Sequence, residues 1–183
     1  NKAFLSKNLS PLNNAPKISS KKIINCTNIV GLAGVEQITE AINTKADIII
    51  CGRSTDASLI ASLPIMKGVD EAIAWHAGKI GECGAFCTTN PRSGVILISF
   101  QKNGFFIKPV SNNTKVTPYT VSAHMVYENS NPFTLIEPGG HLDVKNAIYE
   151  KQKDGSVYVT GANWVKDNNY KIKLEGTYVE GYP

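Results

Sequence analysis

The sequence predicts an α/β chain: a partial parallel βαβ sheet in the first half, then a β-rich, hairpin-containing α+β half. Three observations carry this. Apolar strand-like runs alternate with a helical period up to about residue 90. The run Asp47-Ile48-Ile49-Ile50-Cys51 is continuously apolar after its first residue, the pattern of a parallel strand covered on both faces. Beyond Pro91, Asn103-Gly104 and Asp154-Gly155 interrupt strand-like segments, which marks hairpin turns.

In chain order, residues 1–20 are polar and hold Pro11 and Pro16. They read as a connecting arm with one short helical turn at Ala3–Leu9. Ile23–Val30 is strand-like, and Gly31-Leu32-Ala33-Gly34 is a tight turn. Val35–Asn43 has helical spacing through Val35, Ile38, Ala41 and Ile42. With Asp47–Cys51 as the next strand, this makes a right-handed βαβ unit. A helix over 56–63 is expected to stop near Pro64. Glu71–Thr88 reads as one longer helix despite Gly78, Gly81 and Gly84. Each glycine costs about 1 kcal/mol there, so three of them predict a close neighbour.

In the second half, Val95–Gln101 and Phe105–Val110 form the first hairpin. Thr117-Pro118 is an N-cap and N1 pair opening a helix to about Tyr127. Ala147–Gln152 and Ser156–Thr160 form the second hairpin. Tyr170–Tyr178 alternates apolar and charged residues like a half-exposed strand. The expected organisation is an arm (1–20), an α/β portion (21–90) and a β-rich portion (91–183), the last two packed as one unit.

Composition narrows the function classes. The 183 residues are 42% hydrophobic and 19% charged, with a net charge of +4, which suits an ordinary globular protein. The lysines are dispersed, so no nucleic-acid stripe is expected. No apolar run reaches membrane-spanning length, and the first residues lack the build of a signal peptide. Neither end has the look of a natural terminus, so a longer parent chain is expected. Cys26, Cys51, Cys83 and Cys87 do not make a disulfide framework. A cytoplasmic, reduced protein is expected.

Four groups of residues can carry chemistry. In open parallel sheets, ligands bind beyond the carboxyl ends of the strands, which is where Gly52, Arg53, Ser54, Thr55 and Asp56 fall. Gly52 permits a sharp exit, and Arg53 offers a planar fork for a carboxylate or phosphate. Ser54 and Thr55 add hydroxyls. Asp56 either acts in the site or caps the next helix.

The second group is the helix bearing His76, Lys79 and Glu82. Helical spacing puts His76, Ile80, Cys83 and Cys87 on one face, and Trp75, Lys79, Glu82 and Phe86 on the next. His76 or Lys79 suits proton transfer, with Glu82 orienting Lys79. The plainer alternative is a core histidine beside an i,i+3 ion pair. The two cysteines read as small core residues. Their spacing with His76 is wrong for structural zinc, so no metal is expected.

The third group, His124 and Glu128, reads as a surface ion pair. In the fourth, Glu137-Pro138-Gly139-Gly140-His141-Leu142-Asp143, Gly139 and Gly140 allow close backbone approach, either over a pocket or in a turn. Gly31-x-x-Gly34 lacks the rest of the dinucleotide fingerprint, and no cofactor is expected.

These segments together resemble a known family. Ala46 through Asp56 resembles the AD-apolar-GR-x-x-D segment of the acyclic terpene utilisation (AtuA-like) family. Ala74-Trp75-His76-Ala77-Gly78-Lys79-Ile80 with Glu82-Cys83-Gly84-Ala85 resembles the AWHAAK-x-x-ECGA signature of one branch. Tyr127-Glu128-Asn129, Glu137-Pro138-Gly139-Gly140 with Leu142-Asp143, and Leu174-Glu175-Gly176 extend the likeness over roughly residues 23–183. Gly78 and Gly81 depart from the branch, which has larger residues there, and the segment from Cys87 to Val95 is short.

The resemblance implies a catabolic enzyme or enzyme component acting on a small branched carboxylate or acyl-CoA. It also implies a chain longer at both ends. Arg53 would hold the anionic group, with Gly52, Ser54, Asp56, Gly139 and Gly140 around it. The alternatives are a non-catalytic assembly subunit, as a homo-oligomer or with a pathway partner, and a structural half of a larger protein.

Overall fold

In the computed structural model, residues 2–12, 17–92, 94–126, 131–179 and 181 are described. Helix α1 (Lys2–Asn8) occupies the arm. Helix α2 (Ser20–Asn25) follows, started by the Ser19 side chain accepting from the Lys22 amide. The strand expected over Ile23–Val30 is therefore a helix and then a short strand, β1 (Asn28–Gly31). The N-cap at Ser19 decides this locally, because it satisfies an amide that a strand would leave open. Helix α3 (Val35–Asn43) has the bounds that its periodicity predicts.

The parallel sheet does not form. β1 pairs antiparallel with β9 (Leu174–Thr177), at the far end of the chain. Its parallel contact with the next segment shrinks to one bridge, Ala33 with Ser54. Asp47–Cys51 is consequently in no sheet, with Ile48 80% and Ile50 92% exposed. A parallel strand needs a ladder on at least one side along its length, and among the described residues Asp47–Cys51 has none.

Helix α4 (Asp56–Met66) runs through Pro64 instead of stopping before it. Pro64 stands in the last turn, and its carbonyl accepts from the Lys67 and Val69 amides. Helix α5 (Glu71–Gly81) is capped by the Asp70 side chain, which accepts from the Ala72 and Ile73 amides. The long helix expected to Thr88 ends at Gly81. A 3-10 turn over Gly84–Cys87 follows, so Cys83 and Cys87 do not continue the face of His76. A Cβ at Gly84 would stand 2.7 Å from Ile96 Cγ1, so strand packing sets the break.

The expected close neighbour of the glycines is α4. A Cβ on Gly78 would stand 2.5 Å from the carbonyl oxygen of Ala57. Ala57, Ala61, Ala74 and Ala77 are buried along the same seam, so the two backbones nearly touch.

Both hairpins form. β2 (Ile96–Gln101) pairs with β3 (Gly104–Pro109), and β6 (Ile148–Lys151) pairs with β7 (Val157–Thr160). They join through β3–β7 into one antiparallel sheet of order β2-β3-β7-β6. Gly155 takes φ 82° in its turn. Gly104 does not serve the turn: a Cβ there would meet Val159 O at 2.2 Å.

Helix α6 (Pro118–His124) begins at the expected Thr117 cap; the Tyr127 end of that expectation lies outside the described residues. A third sheet, not anticipated, joins β4 (Thr134–Glu137), β5 (Gly140–Asp143) and β8 (Asn163–Lys166), all antiparallel. The core lies between α5 and the sheets. There Trp75 stacks on Trp164 with ring centroids 4.9 Å apart. No helix among the described residues is long and apolar enough to cross a membrane.

Candidate functional site

The loop after Cys51 is fixed at its middle by backbone pairing. The Ala33 amide donates to the Arg53 carbonyl and the Thr55 amide donates to the Ala33 carbonyl, both at 3.0 Å. These two bonds turn Ser54 and Thr55 inward, each 5% exposed, and leave Arg53 at the rim. The Arg53 Nε donates to Glu175 Oε2 at 2.7 Å. Thr55, not Asp56, is the N-cap of α4, and its side chain makes no capping bond. Asp56 stands in the first helical turn, where a negative charge is favoured by the helix dipole.

The α4–α5 seam brings the second predicted group to this loop. Because Gly78 lets α5 approach Ala57, the adjacent Lys79 reaches the start of α4. Lys79 Nζ and Glu82 Oε1 form a close ion pair, with side chains 12% and 9% exposed. Burial raises the Glu82 carboxyl pKa above its ordinary value. The Lys79 contact opposes this and the nearby Glu137 and Asp56 charges add to it.

A cavity of about 240 Å³ joins these parts. Its polar lining comes from Arg53, Ser54, Thr55, Asp56, Lys79, Glu82, Glu137 and Lys173, with Asn131 and Thr134. Leu12, Leu32, Leu135 and Ile136 supply the apolar part. Three cations and three carboxylates line it, so its charge is balanced. Lys173 Nζ donates to Glu137 Oε1 at 3.1 Å. Thr55 Oγ1 and Glu137 Oε2 are buried without a hydrogen-bond partner.

Sequence reasoning did not place Glu137 and Lys173 in the site. Glu137 ends β4 where the Pro138-Gly139 turn begins, and Lys173 sits beside β9. Only the strand pairing of distant segments brings them here. Lys173 had read as the exposed side of an alternating strand.

The other predicted residues fall elsewhere. Gly52 is exposed with open space around it. Gly139, at φ 80°, fills the turn between β4 and β5. A Cβ at Gly140 would meet Val165 O at 2.4 Å, so that glycine serves strand pairing. Neither glycine lines the cavity.

His76 is in the core. Its Nε2 is 3.1 Å from the Tyr149 hydroxyl, and its ring meets the edge of Phe105. Burial lowers its pKa to about 3, so the imidazole is neutral under ordinary conditions and stands away from the cavity. His124, expected at the surface, is buried close to Lys79, and burial lowers its pKa; its expected partner Glu128 lies outside the described residues. Among the described residues no cluster of His, Cys, Asp and Glu is arranged to hold a metal ion.

A family model described as "Acyclic terpene utilisation family protein AtuA" covers residues 6–183. No curated protein and no solved structure matches.

Proposed function

The chain belongs to the acyclic terpene utilisation family, and on that premise we propose that its cavity binds a small branched carboxylate, or the acyl end of a branched acyl-CoA. The observation that carries this reading is that Arg53, Lys79 and Glu82 line one cavity. Arg53 at the rim suits an anionic head group or a thioester carbonyl. The leucine and isoleucine part of the lining suits a short branched chain. The volume is below that of drug-sized sites, so a CoA moiety would remain outside, on the Arg53 side.

Lys79 and Glu82 are the groups for proton transfer. Their pairing inside a largely buried site lets a proton pass between ammonium and carboxylate as charge develops on a ligand. His76 takes no part in this reading because it faces the core. The test is ligand-induced thermal stabilisation with 3-methylbutanoate and its CoA thioester. The unaltered chain is expected to gain stability with at least one of them, and Arg53→Ala to lose the gain. No gain with either, or an equal gain in Arg53→Ala, contradicts the reading.

One observation favours assembly as a second property of the chain. Ile48 and Ile50 are exposed on a segment outside every sheet, an apolar edge of the kind that marks an interaction surface. Light scattering of the unaltered chain and of Ile50→Lys tests it. Assembly through this edge predicts a larger mass that falls in the variant, and equal masses contradict it.

A further inference from the structure

We propose that the ligand of this cavity carries a hydrogen-bond donor besides its acid group: the site takes a hydroxy-substituted small carboxylate or the corresponding hydroxyacyl thioester. This rests on the acid-binding reading above and narrows it.

The three cations of the lining are already matched. Arg53 is bonded to Glu175, Lys79 to Glu82 and Lys173 to Glu137. What the cavity leaves open is of the other kind. Thr55 Oγ1 and Glu137 Oε2 have no partner, although Thr55 is 5% and Glu137 6% exposed. Buried side-chain polar atoms are paired in the large majority of cases, so two open ones on residues that line one cavity need a reason.

Their chemistry specifies the partner. An ionised carboxylate oxygen only accepts, whereas a threonine hydroxyl both donates and accepts. A plain carboxylate ligand offers only acceptors. It would leave Glu137 Oε2 open. A ligand hydroxyl donates to Glu137 Oε2 and accepts from Thr55 Oγ1, which closes both. A site built to bond a ligand hydroxyl rejects the analogue that lacks it, because the buried groups are then left unpaired.

The experiment is calorimetric titration of the unaltered chain with 3-hydroxy-3-methylbutanoate and with 3-methylbutanoate, which match in branching and charge. The hydroxy acid is expected to bind roughly tenfold to a hundredfold more tightly, as a hydrogen bond to a charged group gives. Thr55→Val should erode that ratio; Glu137→Gln is the second variant, with the same direction expected. Equal affinities for the two acids overturn the proposal and leave the acid-binding reading standing, the open atoms then serving a bound water. If neither acid binds, the acid-binding reading falls and takes this proposal with it.

Discussion

At Thr55 a hydroxyl is buried without a partner, which costs about 1–3 kcal/mol. Thr55→Val keeps the shape and removes the open group, so it should stabilise the ligand-free chain by about 1 kcal/mol. For a chain of this length that is a rise of about 2–4 °C in Tm. A fall in Tm contradicts an unpartnered hydroxyl. His76 gives a pH prediction. Burial lowers its pKa from 6.5 to about 3, so the unfolded chain takes up a proton that the folded one refuses. Its contribution to stability is complete above pH 6.5 and is lost as pH falls towards 3, at about 1.4 kcal/mol per pH unit. The stability difference between the unaltered chain and His76→Gln should therefore shrink across that window in urea titrations. Parallel pH curves contradict it. Cysteine reactivity should follow exposure: Cys51 is exposed, while Cys87 is buried with its thiol pKa raised to about 12. A thiol reagent on the native chain should label Cys51 first and Cys87 last.

Among the elements, α4 and α5 do most to build the site, and Gly78 is the residue that lets them meet. Gly78→Ala gains about 1 kcal/mol of helix propensity. It also drives a Cβ to 2.5 Å from a backbone oxygen that cannot move aside. Overpacking of this kind costs about 1–3 kcal/mol, so the net change in denaturant unfolding should be destabilising, and Lys79 should lose its place beside α4. A neutral or stabilising outcome contradicts the seam. Local signals were enough for some elements. Helix α3, the Thr117 cap and both hairpins were legible because period, cap and turn chemistry act within a few residues. The run Asp47–Cys51 was not, because apolarity reports a preference for burial and not which strand is present to provide it. The strand that β1 does pair with, β9, lies nearly 150 residues away in sequence.

Across the whole molecule, the candidate site is a meeting of three regions distant in sequence: the loop 53–56, the end of α5, and the Glu137–Lys173 pair. Two of these were legible, since a charged loop and a Lys–Glu pair announce themselves in any register. Glu137 and Lys173 were not, because the antiparallel sheets that carry them depend on pairings that no local pattern encodes. On the proposed reading this cavity holds the acid, and hydrogen exchange of backbone amides with and without 3-hydroxy-3-methylbutanoate tests that at the site itself. Slower exchange at residues 53–58 and 134–137, with no change at Asp47–Cys51, is the predicted result. Protection confined to other segments, or binding that leaves the amides of 53–58 unchanged, contradicts it.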